Sequence, residues 1–299
     1  MSDDALKSYL KRRKKIVDDA LDGYLPPETD YPSVIFKSMR HSLFAGGKRL
    51  RPILCMAAAE AVGGNYSTVM PVACAIEMIH TYSLIHDDLP AMDDDDFRRG
   101  KPTNHRVFGE GIAILAGDAL VTEAFHLMSD RTRYDGDAAE QIMSVIHAVA
   151  DAAGVRGMIG GQVMDLVCEG QTVDLETLEY IHSRKTERLI SVSLHAGAVL
   201  ARAGEDELAA LADYGMNIGY AFQIVDDILD VEGESSVMGK DTGSDEAKGK
   251  ATYPALVGLA ASRIRCRELI GNALAALENL DERAEPLRGI ARLIIDRKA

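Results

Sequence analysis

The stretch His80–Lys101 constrains the fold most, because an apolar segment runs directly into a dense set of charges. Residues 76–86 are apolar enough for a buried helix, and Pro90 interrupts that helix soon afterwards, since proline lacks an N–H and clashes with the preceding turn. The charges that follow the apolar segment are Asp87, Asp88, Asp93, Asp94, Asp95, Asp96, Arg98 and Arg99. Mg²⁺ takes one or two carboxylates and completes its shell with water and phosphate oxygens. The stretch therefore predicts a magnesium–phosphate site, with a solvated acidic loop as the alternative.

The composition favours helices. Hydrophobic residues make up 47% of the chain and aromatic residues only 5%, with no Trp. Ala, Leu, Ile and Met, which favour helix, outnumber the β-branched and aromatic residues typical of strands. No repeat and no Pro/Ser-rich linker divides the sequence, and no segment reads as a strand. We expect one all-α domain over residues 1–299, with a peripheral N-terminal helix within residues 1–25.

Helix-like segments fill most of the chain and end at Gly or Pro signals. They cover about residues 4–22, 33–44, 52–62, 69–89, 112–128, 137–153, 175–202 and 205–231, with a Gly-rich helix-like stretch at 154–165 and two or three shorter helices at the end. Residues 232–250 are polar, Gly-rich and longer than most loops of compact domains.

Charge, cysteines and termini exclude several classes. A net charge of −14 argues against a nucleic-acid binder, which needs a basic surface. The four cysteines have no zinc-type spacing, so we expect free thiols in a reducing compartment. The N-terminus does not resemble a signal peptide, and we expect no apolar run near the ~20 residues of a membrane span. These features predict a cytoplasmic protein without stable membrane insertion.

A second acidic cluster lies in GYAFQIVDDILD. On a helix, residues three and four apart share a face, so Gly219, Gln223, Asp226 and Asp230 form one stripe with Asp227 beside it. Carboxylates on such an apolar helix need a counter-charge. Salt bridges would supply one, but two Asp clusters that end apolar helices favour a shared metal–phosphate site.

Cations accompany both clusters. Lys48, Arg49 and Arg51 follow Gly46-Gly47 at a helix start, where free N–H groups also favour anions. Later cations are Arg98, Arg99, Lys185, Lys240 and Lys250. Since no Walker-type loop is present, this set indicates diphosphate binding rather than nucleotide hydrolysis.

Six motifs together closely resemble those of the short-chain trans-prenyl diphosphate synthases, and look most like those of bacterial farnesyl diphosphate synthases. They are DDLPAMD, RRGKPTNH, GGKRLRP, Lys185-Thr186, FQIVDDILD and KATYP. The resemblance runs from about residue 30 to the C-terminus, and the combination of motifs is specific. It implies the isoprenoid synthase fold, with about ten core helices around a central active-site cavity, and a homodimer.

The resemblance also implies roles for individual residues. Those matching magnesium positions are Asp87, Asp88, Asp93, Asp226, Asp227 and Asp230. Those matching allylic diphosphate positions are Arg98, Lys185, Thr186, Gln223, Lys240 and Lys250, the last closing over the substrate when the 232–250 segment acts as a mobile lid. Those matching isopentenyl diphosphate positions are Lys48, Arg51, His80 and Arg99. Lys185, Thr186, Gln223 and Asp226 would act on the reacting centre.

The implied reaction condenses isopentenyl diphosphate with an allylic diphosphate, dimethylallyl and then geranyl. Magnesium and the cations stabilise the departing diphosphate, the allylic cation is attacked by the isopentenyl double bond, and a proton is lost. The Thr186 hydroxyl, the Lys185 carbonyl and the Gln223 amide are the dipoles expected to face that cation.

Product length is assigned to Tyr82, five positions before the first motif aspartate, because the resemblance places the cavity floor there. Helix geometry puts Ser83 beneath Asp87 and Tyr82 about 140° round, so geometry alone does not make Tyr82 the floor. A tyrosine at the floor predicts a C15 product, farnesyl diphosphate. The alternative for Tyr82 is a core tyrosine without influence on product length. The alternatives for the protein are a C20 synthase and a non-catalytic subunit of a hetero-oligomer. A terpene cyclase is disfavoured because the second motif is DDILD.

Four further residues belong to family-like motifs. His86 and His105 are expected to pack or to hydrogen-bond within loops. Gln162 and Asp165 lie one helical turn apart and are expected to face the cavity as supporting residues.

Overall fold

The computed structural model describes residues 1–134, 138–232 and 250–296. Within these ranges the chain forms fourteen α-helices. They are α1 Asp3–Tyr24, α2 Ser33–Leu43, α3 Leu50–Ala61, α4 Met70–Asp87, α5 Asn104–Phe108, α6 Glu110–Ser129, α7 Ala139–Ala153, α8 Met158–Val167, α9 Leu175–His182, α10 Arg188–Leu200, α11 Glu205–Glu232, α12 Tyr253–Val257, α13 Leu259–Ala276 and α14 Glu285–Ile295. Short 3₁₀ turns lie at Tyr66–Val69, Arg131–Arg133 and Glu282–Ala284. The prediction of an all-α fold is confirmed.

Helix α4 is the central element. It has a proline in its first turn, where the missing N–H costs no hydrogen bond, and most of its residues are buried. It packs along α6, while α3 packs along α10 and α11 along α13. One apolar cluster joins α4, α6 and α7, and a second joins α11, α13 and α14. The C-terminal end of α4 therefore emerges from the core at a fixed place and carries Asp87 with it.

A small β-hairpin interrupts the helical pattern, which differs from the expectation of no strand. Strands β1 Phe97–Arg98 and β2 Lys101–Pro102 pair antiparallel, with Phe97 opposite Pro102. The two turn residues Arg99 and Gly100 both have positive φ, of 55° and 73°. Two left-handed residues make the tight turn whose twist suits a hairpin. A two-residue strand is too short to leave an alternating pattern in the sequence.

The single helix expected over about residues 175–202 is divided in the structure. Helix α9 ends at His182, a π-helical turn spans Ser183–Glu187, and α10 begins at Arg188. Gly161 of α8 lies against this turn, because a Cβ at that position would be 2.3 Å from the Lys185 nitrogen. The turn carries Lys185 and Thr186, and π-helical turns often occur at functional sites.

Three stretches are long and apolar enough, by length and composition alone, to cross a membrane: Tyr66–Asp87, Glu110–Ser129 and Ala139–Val167. The expectation that no apolar run approaches that length was therefore wrong. In the first stretch 72% of the most apolar window is buried inside the protein, so its apolarity is accounted for by the core around α4. In each of the other two only 39% is buried.

Candidate active site

A cavity of about 450 Å³ opens beside the C-terminal end of α4. Its polar wall brings together six residues that the sequence analysis selected: Arg51, His80, Ser83, Asp87, Lys185 and Thr186. Its apolar wall is formed by Tyr82, Leu84, Met92, Met158, Ile159, Val163 and Leu166. Residues from α3, α4, α8 and the π-helical turn thus face one space.

The first acidic cluster is folded back on itself. The Asp93 nitrogen donates to the Asp87 carbonyl at 2.8 Å, which returns the chain to the helix end after Pro90. Within the described residues, the Asp87 carboxylate has no hydrogen-bond or ion-pair partner. Burial raises its pKa; Lys185 opposes that effect and the charge of Asp93 adds to it.

Asp88 has a different environment from Asp87. Its side chain is buried and accepts from Arg98 Nε at 2.6 Å. Burial acts to lower the pKa of Arg98, but its hydrogen bond to Asp88 and the charges of nearby aspartates together outweigh that effect, so the net shift is upward. Asp88 was expected to bind magnesium and Arg98 the allylic diphosphate; here each binds the other, so Asp88 fixes the hairpin to the end of α4.

Two lysines are paired with carboxylates beside the cavity, and Lys185 is the one that lines it. Lys185 Nζ lies 2.6 Å from Asp165 Oδ2. Lys250 Nζ lies 2.7 Å from Asp93 Oδ1 and 3.4 Å from Asp165 Oδ2. Burial acts to raise the pKa of Asp165, but the two lysines outweigh it and lower the pKa overall. Asp165 thus connects the π-helical turn to the segment that begins at Lys250, a larger role than its sequence position indicated.

Helix α11 presents the second cluster to the same region. Thr186 Oγ1 donates to Gln223 Oε1 at 2.8 Å, and Gln223 Nε2 donates to Asp227 Oδ1 at 3.0 Å. Asp226 and Asp230 are half-buried on the Gln223 face, and the charge of Asp226 partly opposes the lowering of the Arg51 pKa by burial.

Asp227 is buried and held by the protein. Its Oδ2 accepts from the Tyr253 nitrogen at 2.7 Å and lies 3.4 Å from His182 Nε2. With Gln223 on the other oxygen, Asp227 anchors the start of α12 to α11 and α9. Both oxygens of Asp227 thus accept hydrogen bonds from the protein, whereas its motif position predicts a magnesium contact, which stays a prediction.

Arg51 and His80 line another part of the cavity, and Arg99 lies near them. Burial lowers the pKa of Arg51 to about 10; Arg99 acts in the same direction, whereas Glu77 and Asp226 oppose it. Burial, followed by the charges of Arg51 and Arg99, holds the pKa of His80 well below its ordinary value. Arg51 Nε is buried without a hydrogen-bond partner in the described part of the chain. An unsatisfied guanidinium group beside a second one needs an explanation, and an anionic ligand supplies it.

The neighbouring cations of the glycine turn do not line the cavity. Arg49 is buried and binds Asp18 at 2.7 Å and Glu77 at 2.9 Å, so it fastens α1 to α4. Lys48 is exposed. Arg99 donates to the Gly46 carbonyl at 2.7 Å, and its guanidinium lies where a Cβ on Gly47 would be, 2.5 Å from Nη1. Gly47 therefore makes room for Arg99.

The remaining selected residues are distributed as follows. Gln162 lines the cavity, and its Nε2 is buried without a partner in the described residues. His86 also lines the cavity, whereas packing or hydrogen bonding within a loop was expected. His105 is buried beside Thr103, with Nδ1 3.2 Å from its hydroxyl. Lys240 and most of the 232–250 segment lie outside the described residues. Glu77, which pairs with Arg49, was not among the residues predicted for the site, although a lone carboxylate inside an apolar helix was a signal.

Comparison with known proteins decides the family. A family described as polyprenyl synthetase matches residues 32–286. The chain belongs to the polyprenyl synthetase family.

Relatives of this polyprenyl synthetase-family chain match along its length. A farnesyl diphosphate synthase of Bacillus subtilis is 46% identical, covering 98% of each chain. A geranylgeranyl diphosphate synthase of Cyanophora paradoxa is also 46% identical, covering 98% of this chain and 96% of the relative. A crystal structure of an FPP/GFPP synthase from Zymomonas mobilis superimposes with a TM-score of 0.87 at 37% identity, covering 97% of this chain and 99% of that one. The names of these relatives differ in product length.

The family implies magnesium, and the residues of the polyprenyl synthetase site fit it. Among the described residues no three His, Cys, Asp or Glu side chains form a ready-made metal cluster. Mg²⁺ needs only one or two carboxylates when substrate phosphate and water complete its shell. The Asp87 carboxylate has no partner within the described ranges, and the charge of nearby Asp93 acts to raise its pKa. Its oxygens are the type of ligand that Mg²⁺ prefers.

Proposed function

We propose that the chain is a prenyltransferase that condenses isopentenyl diphosphate with dimethylallyl and then geranyl diphosphate to give farnesyl diphosphate. One observation carries the proposal: a single cavity joins a carboxylate–lysine wall at Asp87 and Lys185, a cationic wall at Arg51 and an apolar wall that includes Tyr82. The Nε atom of Arg51 is buried without a hydrogen-bond partner in the described residues. Each wall matches one part of the reaction, namely the allylic diphosphate, the isopentenyl diphosphate and the growing hydrocarbon.

Asp87 and Asp93, with Asp226 and Asp230 on α11, would hold the magnesium ions together with the allylic diphosphate. Bound magnesium would neutralise charge that develops on the leaving diphosphate. Lys185 and Lys250 lie beside these carboxylates and would add two positive charges to the same leaving group. A carboxylate that lost its lysine to the substrate would remain neutralised by the metal.

The π-helical turn would stabilise the carbocation. Thr186 is held by Gln223, so its hydroxyl oxygen lone pairs and the turn's carbonyls have fixed directions. Preorganised dipoles of this kind stabilise developing charge without reorganisation. The apolar wall excludes water, which would otherwise quench the cation to an alcohol. The proton lost after condensation would pass to the departed diphosphate, which the lysines retain near the new bond.

Arg51, His80 and Arg99 would bind isopentenyl diphosphate. A dianionic or trianionic diphosphate relieves the repulsion between the two guanidinium groups and supplies the acceptor that Arg51 Nε lacks within the described part of the chain. The isopentenyl double bond would then lie between the cationic wall and the π-helical turn.

Tyr82 is the residue we assign to product length. It and Ser83 both line the cavity, and a tyrosine ring occupies volume that a longer chain would need. Tyr82→Ala should move the product from C15 toward C20, measured as chain length by mass spectrometry. An unchanged product would contradict the floor assignment and leave the enzyme class intact.

The experiment that tests the proposal is an incubation of purified protein with dimethylallyl diphosphate, labelled isopentenyl diphosphate and Mg²⁺, followed by chain-length analysis. We expect a C15 product that disappears in EDTA. A C20 product, as in the relatives named for geranylgeranyl diphosphate, would keep the class and change the length. No product at all would favour the non-catalytic subunit.

We further propose that the enzyme is a single-domain homodimer of the cytoplasm. Ile114 and Leu115 of α6 are 44% and 54% exposed, which supports a covered face in an assembly. All four cysteines are free thiols, which suits a reducing compartment. Sedimentation velocity would test the dimer, and a monomer at micromolar concentration would contradict it.

A further inference from the structure

His86 forms a connection between the cavity and helix α6. It lies one helical turn after Tyr82 on α4, and both residues line the cavity. The two rings meet edge to face, with centroids 5.7 Å apart and planes at 79°. This is the arrangement that aromatic quadrupoles favour. The Tyr82 ring is therefore held from one side by the imidazole ring.

The imidazole ring is in turn held by α6. His86 Nε2 lies 3.1 Å from the Ile114 carbonyl oxygen. A carbonyl only accepts hydrogen bonds, so Nε2 must carry the proton and donate it. The hydrogen bond restrains the orientation of the imidazole ring.

Gly117 makes this contact sterically available. A Cβ at this position would be 2.2 Å from His86 Nε2 and 2.6 Å from Cδ2, so no other residue fits without moving the ring. Gly117 is buried within α6 and has no left-handed backbone angle that would require glycine. A mid-helix glycine costs roughly 0.5–1 kcal/mol relative to alanine. The close approach of the imidazole ring accounts for the glycine, because the backbone conformation does not.

We propose that His86, seated against Gly117, is a positioning residue that fixes the Tyr82 ring across the cavity and thereby sets product length, an inference that rests on the proposed function. The chain Gly117–His86–Tyr82 makes the volume available to the hydrocarbon depend on a residue of α6 that does not itself line the cavity. Displacing the imidazole ring frees the tyrosine ring to turn and opens the space behind it.

The test is the product distribution of Gly117→Ala. Its methyl group displaces the imidazole ring, and the ratio of C20 to C15 product should rise roughly three- to tenfold, the size expected for one lost aromatic edge contact. Gly111→Ala is the matched control, because Gly111 lies on the same helix and a Cβ added there would have nothing within 4 Å. It should leave the ratio at the wild-type value.

A second variant guards against a Gly117→Ala protein that does not fold. His86→Ala removes the ring without adding volume to α6, and it should raise the same ratio. Equal ratios in His86→Ala and wild type would overturn the proposal. A wild-type protein that makes no prenyl product at all would instead overturn the proposed function, so the two failures are distinguishable.

A double variant tests whether the effect passes through Tyr82. If it does, Gly117→Ala should add little to Tyr82→Ala, because the floor is already absent. Directly coupled residues give such non-additive effects, whereas independent ones add. Full additivity of the two changes in the logarithm of the ratio would contradict the positioning role.

Discussion

The carboxylate–lysine wall and the arginine wall of the cavity balance their charges differently. On the first wall, Lys185 and Lys250 are paired with Asp165 and Asp93 at 2.6 and 2.7 Å. On the second, burial and neighbouring guanidinium groups together depress the pKa values of Arg51 and Arg99. Arg51 Nε, moreover, lacks a hydrogen-bond partner within the described residues. The lysines of the first wall are neutralised by carboxylates of the protein itself. The arginines of the second wall would be neutralised by a bound anion.

The two walls would therefore admit their substrates in different ways. A diphosphate at the first wall must displace ion pairs and meet carboxylates, so it needs a cation that enters with it. A diphosphate at the second wall removes repulsion that the folded protein already carries. We therefore expect metal-dependent binding at one wall and metal-independent binding at the other.

The largest expected effect is at the first wall. Asp93→Asn removes the charge that pairs with Lys250 and would hold magnesium, and turnover should fall on the order of 10³-fold, as when a preorganised charge-stabilising group is lost. Steady-state kinetics at saturating substrates measure it. Asp94→Asn is the control, since Asp94 is exposed and asparagine tolerates its φ of 52°. Similar losses in the two variants would contradict a special role for Asp93.

At the second wall, Arg51→Gln should raise the KM for isopentenyl diphosphate roughly 10- to 100-fold, the size of a lost hydrogen bond to a charged group. The KM for the allylic substrate should change much less. Arg12→Gln, at an exposed position on α1, controls for the loss of one positive charge. A parallel rise in both KM values would contradict the assignment of one substrate to each wall.

Removing metal should separate the two walls directly. In EDTA, isopentenyl diphosphate near 100-fold over its Kd should raise the melting temperature by roughly 5 °C, whereas a non-hydrolysable allylic analogue should do so only after Mg²⁺ is added. Differential scanning fluorimetry measures both. Equal metal dependence for the two ligands would be inconsistent with the charge difference between the walls.

The smallest effect concerns pH. Because the pKa of His80 is depressed in the folded protein, the unfolded chain takes up the proton first as pH falls below about 6.5. Stability is therefore fully present above that pH and is lost below it, with a slope of at most about 1.4 kcal/mol per pH unit from this group. His80→Gln should flatten the dependence in urea unfolding between pH 7 and 5. His126→Gln, at an exposed position, should leave the slope as it is, and an equal slope in all three proteins would contradict the assignment.

Much of the fold could be predicted because helix ends carry local signals. Gly46-Gly47 and Pro90 bound α2 and α4 close to where the sequence placed them. The division of residues 175–202 could not be predicted, because the π-helical turn is packed against Gly161, a residue of another helix.

The site was predicted as a set of residues but not as a set of contacts. Motif positions brought Arg51, His80, Asp87 and Lys185 to one cavity. The pairing of Lys250 with Asp93 joins positions 157 residues apart, and no local pattern contains it. Likewise, nothing in the letters DDILD separates Asp227, which is buried and binds the Tyr253 nitrogen, from the half-buried Asp226 and Asp230.

The π-helical turn at Ser183–Glu187 also makes the packing of the flanking helices independent of the placement of Lys185 and Thr186. In an uninterrupted helix these two properties change together. Such a turn accommodates one additional residue within a helix, so the helical segments before and after it keep the faces they would have in an uninterrupted α-helix. A deletion of one residue there would leave α9 and α10 packed as before and would realign only the segment that carries Lys185 and Thr186. The packing of α9 and α10 therefore does not need the additional residue, but the placement of Lys185 and Thr186 does.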